Sequence, residues 1–433
     1  MNLKKFLMFA IILMCVFYLT ACNDSDNSGE EQSDSNNENA SNDSGDDSEE
    51  TVTLEWMMWA DNESEAQVWE DMANEINEEY PNIVVELNTL SFNDYWTRLQ
   101  TMVASNEAPD IISMQSLRMP GFGAVLHPLD EFIENDEEIN IEDFDPSILE
   151  NMHYEDAVAA LPYDVGPYLL YYNKDLFDKH GVSYPDPGWT MDDFDTTIEQ
   201  LSKEEDYGVI MNNTNLEYYI PYIYSNSGEY LDEDGGYKMN GENTIETMNH
   251  LSEYVANGQA PELVSQAAGN WQAEQWLNGD IGMLLDGPWN ILWFLDETDF
   301  DYGVVPVPEG SNGSVTVSAG SGFGVSNDTE YPEEAYKAVK YLTNSKSLNN
   351  LASMGRAYPA RTSAVDSFYE NVPEEFKASL DYASENSVPF EITNTWNRAQ
   401  DIFTSNLVPI MNGMVDAEEG MEALQEELEA IEE

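Results

Sequence analysis

Cysteine is nearly missing: Cys15 and Cys22 stand near the amino end, and residues 23–433 contain none. That stretch can therefore hold no disulfide, no thiolate metal site and no cysteine nucleophile. Basic residues are also scarce, with 15 Lys and Arg (five of them Arg) against 85 Asp and Glu, a formal charge of −70. Non-specific nucleic-acid binding is excluded, because neutralising phosphates takes many cations. A strongly anionic ligand, which calls for clustered arginines, is disfavoured on the same ground. The four histidines, His127, His153, His180 and His250, are scattered and form no His-Glu-x-x-His pair, so no metal site is expected. Gly320-Ser321-Gly322-Phe323-Gly324 is not a nucleophile elbow, since Ala319 takes the place of the first glycine. It fails the dinucleotide fingerprint at Val325. Asp232-Glu233-Asp234-Gly235 lacks the later ligands of a calcium loop and reads as a turn. Carboxylate pairs could be drawn anywhere among so many acids, so none argues for glycosidase chemistry. No catalytic residue and no cofactor is assigned.

What is present begins with Lys4 and Lys5, an apolar run from Phe6 to Tyr18, and Leu19-Thr20-Ala21-Cys22. This is the layout of a secretory signal over residues 1–21. Its ending resembles a bacterial lipobox, in which the cysteine is lipid-modified and becomes the first mature residue; Cys22 is that candidate. Residues 22–50 are almost wholly polar and acidic and read as a disordered tether spanning on the order of 30 Å. Removing residues 1–21, with two lysines and no acid, takes the charge to −72. An even spread of acids at that density predicts a fold that needs salt to screen self-repulsion. Such a surface repels anionic headgroups, so membrane attachment rests on acyl chains at Cys22.

From Thr51 onward, apolar periodicity predicts strand 51–59, helix 64–80, strand 83–87, helix 93–105 and strand 111–114. That alternation predicts an α/β fold with a parallel sheet. Further extended segments are expected at 161–172 and 207–211, and a hairpin at 230–240 around Asp234-Gly235-Gly236. Helices are expected near 244–257, 271–278, 332–343, 374–385, 397–410 and 421–431.

An ordered series of motifs runs through this part: Pro109-Asp110-Ile111, Leu161-Pro162-Tyr163, Tyr172-Asn173-Lys174-Asp175-Leu176-Phe177, Pro187-Gly188-Trp189-Thr190, Leu277-Asn278-Gly279-Asp280, Gly287-Pro288-Trp289 and Arg356-Ala357-Tyr358-Pro359. The series resembles the extracellular solute-binding proteins of the sugar-binding group that includes maltose-binding protein. Leu169 and Leu170 depart from it, standing where small residues are often found. The resemblance implies a two-lobe periplasmic-binding-protein-like (type II) fold with a hinge and a ligand cleft. One lobe would comprise 51–163 plus 318–358, and the other 164–317 plus 359–433. It also implies a monomeric, extracytoplasmic, non-enzymatic component of an ABC importer, delivering a mono- or oligosaccharide to a permease and its ATPase subunits.

Sugars present apolar C–H faces and a polar rim, which suit aromatic rings and carboxylates or amides respectively. With that chemistry, the resemblance implies as candidate ligand residues Trp59, Asp61 and Asn62 after the first strand, Asp110, and Tyr163 and Asp164 at the hinge. They continue with Tyr218, Tyr219, Trp289, Gly320, Ser321, Arg356 and Trp396. A strand-end tryptophan is as readily a core residue, and most acids are simply solvated. Two rival readings remain: a receptor for a peptide, polyol or compatible solute, and a surface-anchored glycoside hydrolase.

Overall fold

A computed structural model describes residues 51–432 apart from 61–62, 213–214, 265–270 and 371. The signal segment, the tether, Cys22, Asp61 and Asn62 lie outside the described residues. Among those that are described, no helix is long and apolar enough to cross a membrane.

Strand β1 (Val52–Trp59) lies one place in from the edge of the first sheet, parallel to the edge strand β2 (Ile83–Leu90) on one side and to β3 (Ile111–Gln115) on the other. Crossover helices α1 (Glu63–Glu79) and α2 (Phe92–Ser105) link them, as a parallel pair requires. Ser91 caps α2 through the Asp94 N–H, and Asn106 ends it in the left-handed conformation. The chain then reaches two consecutive strands, β4 (Leu161–Pro167) and β5 (Leu169–Asn173). β4 pairs with β8 (Thr316–Val325), which returns to the first sheet antiparallel to β3 and also pairs with β9 (Ser387–Pro389). β5 belongs to a second sheet, flanked antiparallel by β6 (Met283–Asp286) and β7 (Tyr302–Val305).

Each sheet carries its own core. The first is built from β1, α1, β3, Leu161, Tyr163, Phe323, Val325 and α5 (Pro332–Leu342). The second lies between β5 and helices α3 (Met191–Leu201), α4 (Glu242–Ala256), α6 (Trp396–Met411) and α7 (Ala417–Glu432). A smaller apolar cluster covers the opposite face of the second sheet. Because side chains alternate along a strand, Leu170 and Tyr172 enter the large core while Leu169 and Tyr171 enter the small one. The Leu169–Tyr172 run is apolar throughout because β5 is covered on both faces. That explains its departure from the motif series. The result is a two-lobe α/β fold, with β4 and β8 passing between the lobes.

Most expected elements fall within a few residues of their observed limits. Two are less regular. Residues 207–211 make only isolated parallel bridges, Tyr207 to Ile281 and Ile210 to Leu284. The 230–240 segment is held by one bridge, Leu231 to Tyr237, because the Asp232 carboxylate accepts the Asp234 and Gly236 N–H groups (2.9 Å each) and curls the chain tightly.

Candidate functional site

A cleft of about 780 Å³ opens between the two cores. Two aromatic groups line it. On the first-lobe wall, Trp59 ends β1 and meets Phe92 and Trp96 of α2, with ring centroids 5.5 and 5.8 Å away. On the other wall, Tyr168 sits between β4 and β5 and receives Trp289 and Tyr218 edge-on, at 5.4 and 5.2 Å. Trp289 can fold back here because its motif begins with glycine. A β-carbon at Gly287 would stand 2.1 Å from the Trp289 ring.

Between the aromatic walls lie carboxylates and amides. Asp164, on β4, accepts the Ser321 N–H at 2.6 Å, and burial pushes its carboxyl up to about 7 against that hydrogen bond. Glu217 is likewise raised by burial to about 7, opposed by the positive charge of Arg118. Gln400 and Asn215 donate to it at 3.5 and 3.4 Å. Asp286 lies behind Trp289, wholly buried, and is pushed to about 7 by burial despite the Gly287 N–H at 2.8 Å. Arg356 pairs with Glu65 at the start of α1, and its guanidinium lies 5.2 Å from the Trp69 ring centroid. Several buried polar atoms on the lining lack a hydrogen-bond partner, among them Arg118 Nε, Asn290 Nδ2, Asn397 Nδ2 and Gln400 Oε1. Unmet donors beside an unmet acceptor suit a ligand that both accepts and donates, as hydroxyls do.

Of the residues expected from sequence, Trp59, Tyr163, Asp164, Tyr218, Trp289, Gly320, Ser321 and Arg356 line this cleft. Their roles differ from one to the next. Tyr163 is 1 % exposed and stacked on Phe323, so it backs the wall and offers little surface. Gly320 and Ser321 line the cleft on β8, but their backbone donors are not free for a ligand. The Ser321 N–H is spent on Asp164 and the Gly320 N–H on Ser116 Oγ at 3.3 Å.

Three expectations are corrected. Asp110, just before β3, accepts the N–H of Glu55 in the middle of β1 and the Thr329 hydroxyl, and does not line the cleft. Tyr219 is buried in the second core and donates its hydroxyl to the Asn212 carbonyl, pointing away from Tyr218. Trp396 is wholly buried against Phe390 and Phe403, at 5.2 and 5.5 Å. The sequence reading missed Arg118, Glu217, Asn290, Asn397 and Gln400. A signal for the first was available: of five arginines in the chain, Arg118, Arg356 and Arg398 line the cleft.

Known proteins agree with this architecture. An arabinooligosaccharide-binding protein of Halalkalibacterium halodurans is 25 % identical over 324 residues, 70 % of each chain. The maltodextrin-binding protein MdxE of Bacillus subtilis is 22 % identical over 69 % of this chain and 72 % of its own. Among solved structures, an ABC substrate-binding protein of Listeria monocytogenes in complex with cycloalternan superposes with a TM-score of 0.81. It is 23 % identical, and the match covers 88 % of this chain and 99 % of that one. Residues 60–348 match the bacterial extracellular solute-binding protein family. With that match spanning most of the described chain, the protein belongs to the bacterial extracellular solute-binding protein family.

Proposed function

We propose that this protein is the ligand-capturing component of an ABC importer and that its ligand is a mono- or oligosaccharide. One observation carries the reading: two aromatic walls face each other across a cleft whose rim holds buried carboxylates and unmet amide groups. Rings suit the C–H faces of a pyranose, and the rim suits its hydroxyls. The relatives named for arabinooligosaccharides and maltodextrin support the same class of ligand. In this reading the chain hydrolyses nothing and acts as a monomer. It is held to the outer face of the membrane through Cys22 and hands its closed form to a permease. The lobe limits are 51–163 with 318–358, and 164–317 with 359–433. Closure follows from a ligand's higher affinity for the shut form.

A thermal-shift panel of maltotriose, arabinotriose, glycine betaine and a tripeptide tests the ligand class. A ligand at 100 times its dissociation constant adds about 2.7 kcal/mol of stability. Stabilisation by betaine or peptide alone would overturn the sugar reading. Palmitate labelling lost in Cys22→Ser, with the parent labelled, tests the anchor.

A further inference from the structure

Past Trp289 the chain turns through Pro288–Asn290 into a short helix, Ile291–Glu297, that runs along the cleft. Ile291 and Phe294 are its wholly buried side chains, and they anchor it to the small cluster on the second sheet. Spaced three apart, these two form the apolar stripe that packing asks of the helix. Trp293 lies off that stripe. One flank of its ring rests on the cluster, 5.4 Å from the Phe294 ring centroid, and the remainder stays partly exposed on the cleft lining. Core packing does not call for an indole left open to water, whereas contact with the apolar face of a ligand does. Trp293 follows Trp289 by four residues, and both line the cleft. Four residues advance a helix by about 6 Å, so the two rings stand one after the other along the lining. Asp296 and Glu297 continue it, both exposed, and Glu63 and Ser64 at the start of α1 line it from the side of the first core. Carboxylates placed there can accept hydrogen bonds from hydroxyls.

We infer that Trp293 is a second stacking platform beyond Trp289, and that with Asp296 and Glu297 it holds a further ring of a chain-like sugar. This rests on the capture reading above and narrows its ligand to an oligosaccharide whose length this end of the cleft senses. A single ring stacked on Trp289 leaves Trp293 and both acids unused.

The test is calorimetric titration of the full chain with maltose, maltotriose and maltohexaose, and with arabinooligosaccharides of matching length. The parent should bind the longer sugars of one series about tenfold or more tighter than its disaccharide. Trp293→Leu keeps an apolar back against the cluster. It should abolish the gain with length while leaving disaccharide affinity as in the parent. Asp296→Asn with Glu297→Gln changes only exposed side chains and should cut the same gain by about threefold or more. Trp289→Ala should weaken every length alike. A full gain retained in either of the first two variants overturns the site, and so does a loss in them shared by all lengths. Parent binding that ignores length sinks the extended site alone. If the parent binds neither series, the capture reading falls and the extended site with it.

Discussion

Asp286 offers a sharp test of the electrostatics, because its carboxyl is wholly buried, stands beside the cleft and not in it, and is raised to about 7 from 3.8. A folded-state value above the unfolded one means the native protein holds a proton that the unfolded chain has released. Stability is then lost as pH rises from about 4 to about 7, and the cost stays constant above that. Each unit is worth about 1.36 kcal/mol, so ionising Asp286 in the fold costs about 4 kcal/mol at pH 8 and about 1.5–2 kcal/mol at pH 5. Asp286→Asn keeps an acceptor for the Gly287 N–H and removes the ionisation. Relative to the parent, the variant should gain about 2–3 kcal/mol more at pH 8 than at pH 5. Urea unfolding in 2 M NaCl is the assay, since salt screens the surface acids far more than a buried group. An equal effect at both pH values, or a loss confined to pH 8, refutes the reasoning.

Gly287→Ala should displace the Trp289 ring and weaken ligand binding by about tenfold or more, on the scale of a lost aromatic anchor, with little change in melting temperature; calorimetric titration beside thermal unfolding checks both. Trp396→Ala should do the reverse, costing about 3–5 kcal/mol of stability as a core truncation while surviving protein binds as the parent does. Raising NaCl from 0.1 to 2 M should raise the urea midpoint, because the net charge of −70 is repulsive and screenable; an unchanged midpoint would remove the argument for salt adaptation.

The parallel part of the first sheet was legible because β1, β2, β3 and their helices are sequential and each announces itself by local periodicity, whereas β4, β8 and β9 join it from distant parts of the chain. Helix α3 is absent from the expected elements although a Thr190–Asp193 capping box, a local start signal, follows directly on the Pro187–Thr190 motif. The cleft was harder to read. Tyr218 and Tyr219 are neighbours on a tight turn whose side chains diverge, and no pattern says which one faces the ligand. Trp396 was misplaced although Ala399, Gln400, Phe403 and Leu407 continue its buried stripe at helical spacing. The stripe called for a core tryptophan, and the cleft-facing residue was its neighbour Asn397. Arg118 and Glu217 depend on a meeting of segments far apart in the chain, which composition alone does not disclose.

Strand β8 is mortared into both halves of the molecule. Val317 and Ala319 belong to one apolar mass, Phe323 and Val325 to the other, within a single ten-residue strand. Neither half can melt and leave its neighbour whole, because the departing half drags this shared beam with it. Heating should therefore yield one concerted transition, and a truncated chain ending before Thr316 should rescue neither half.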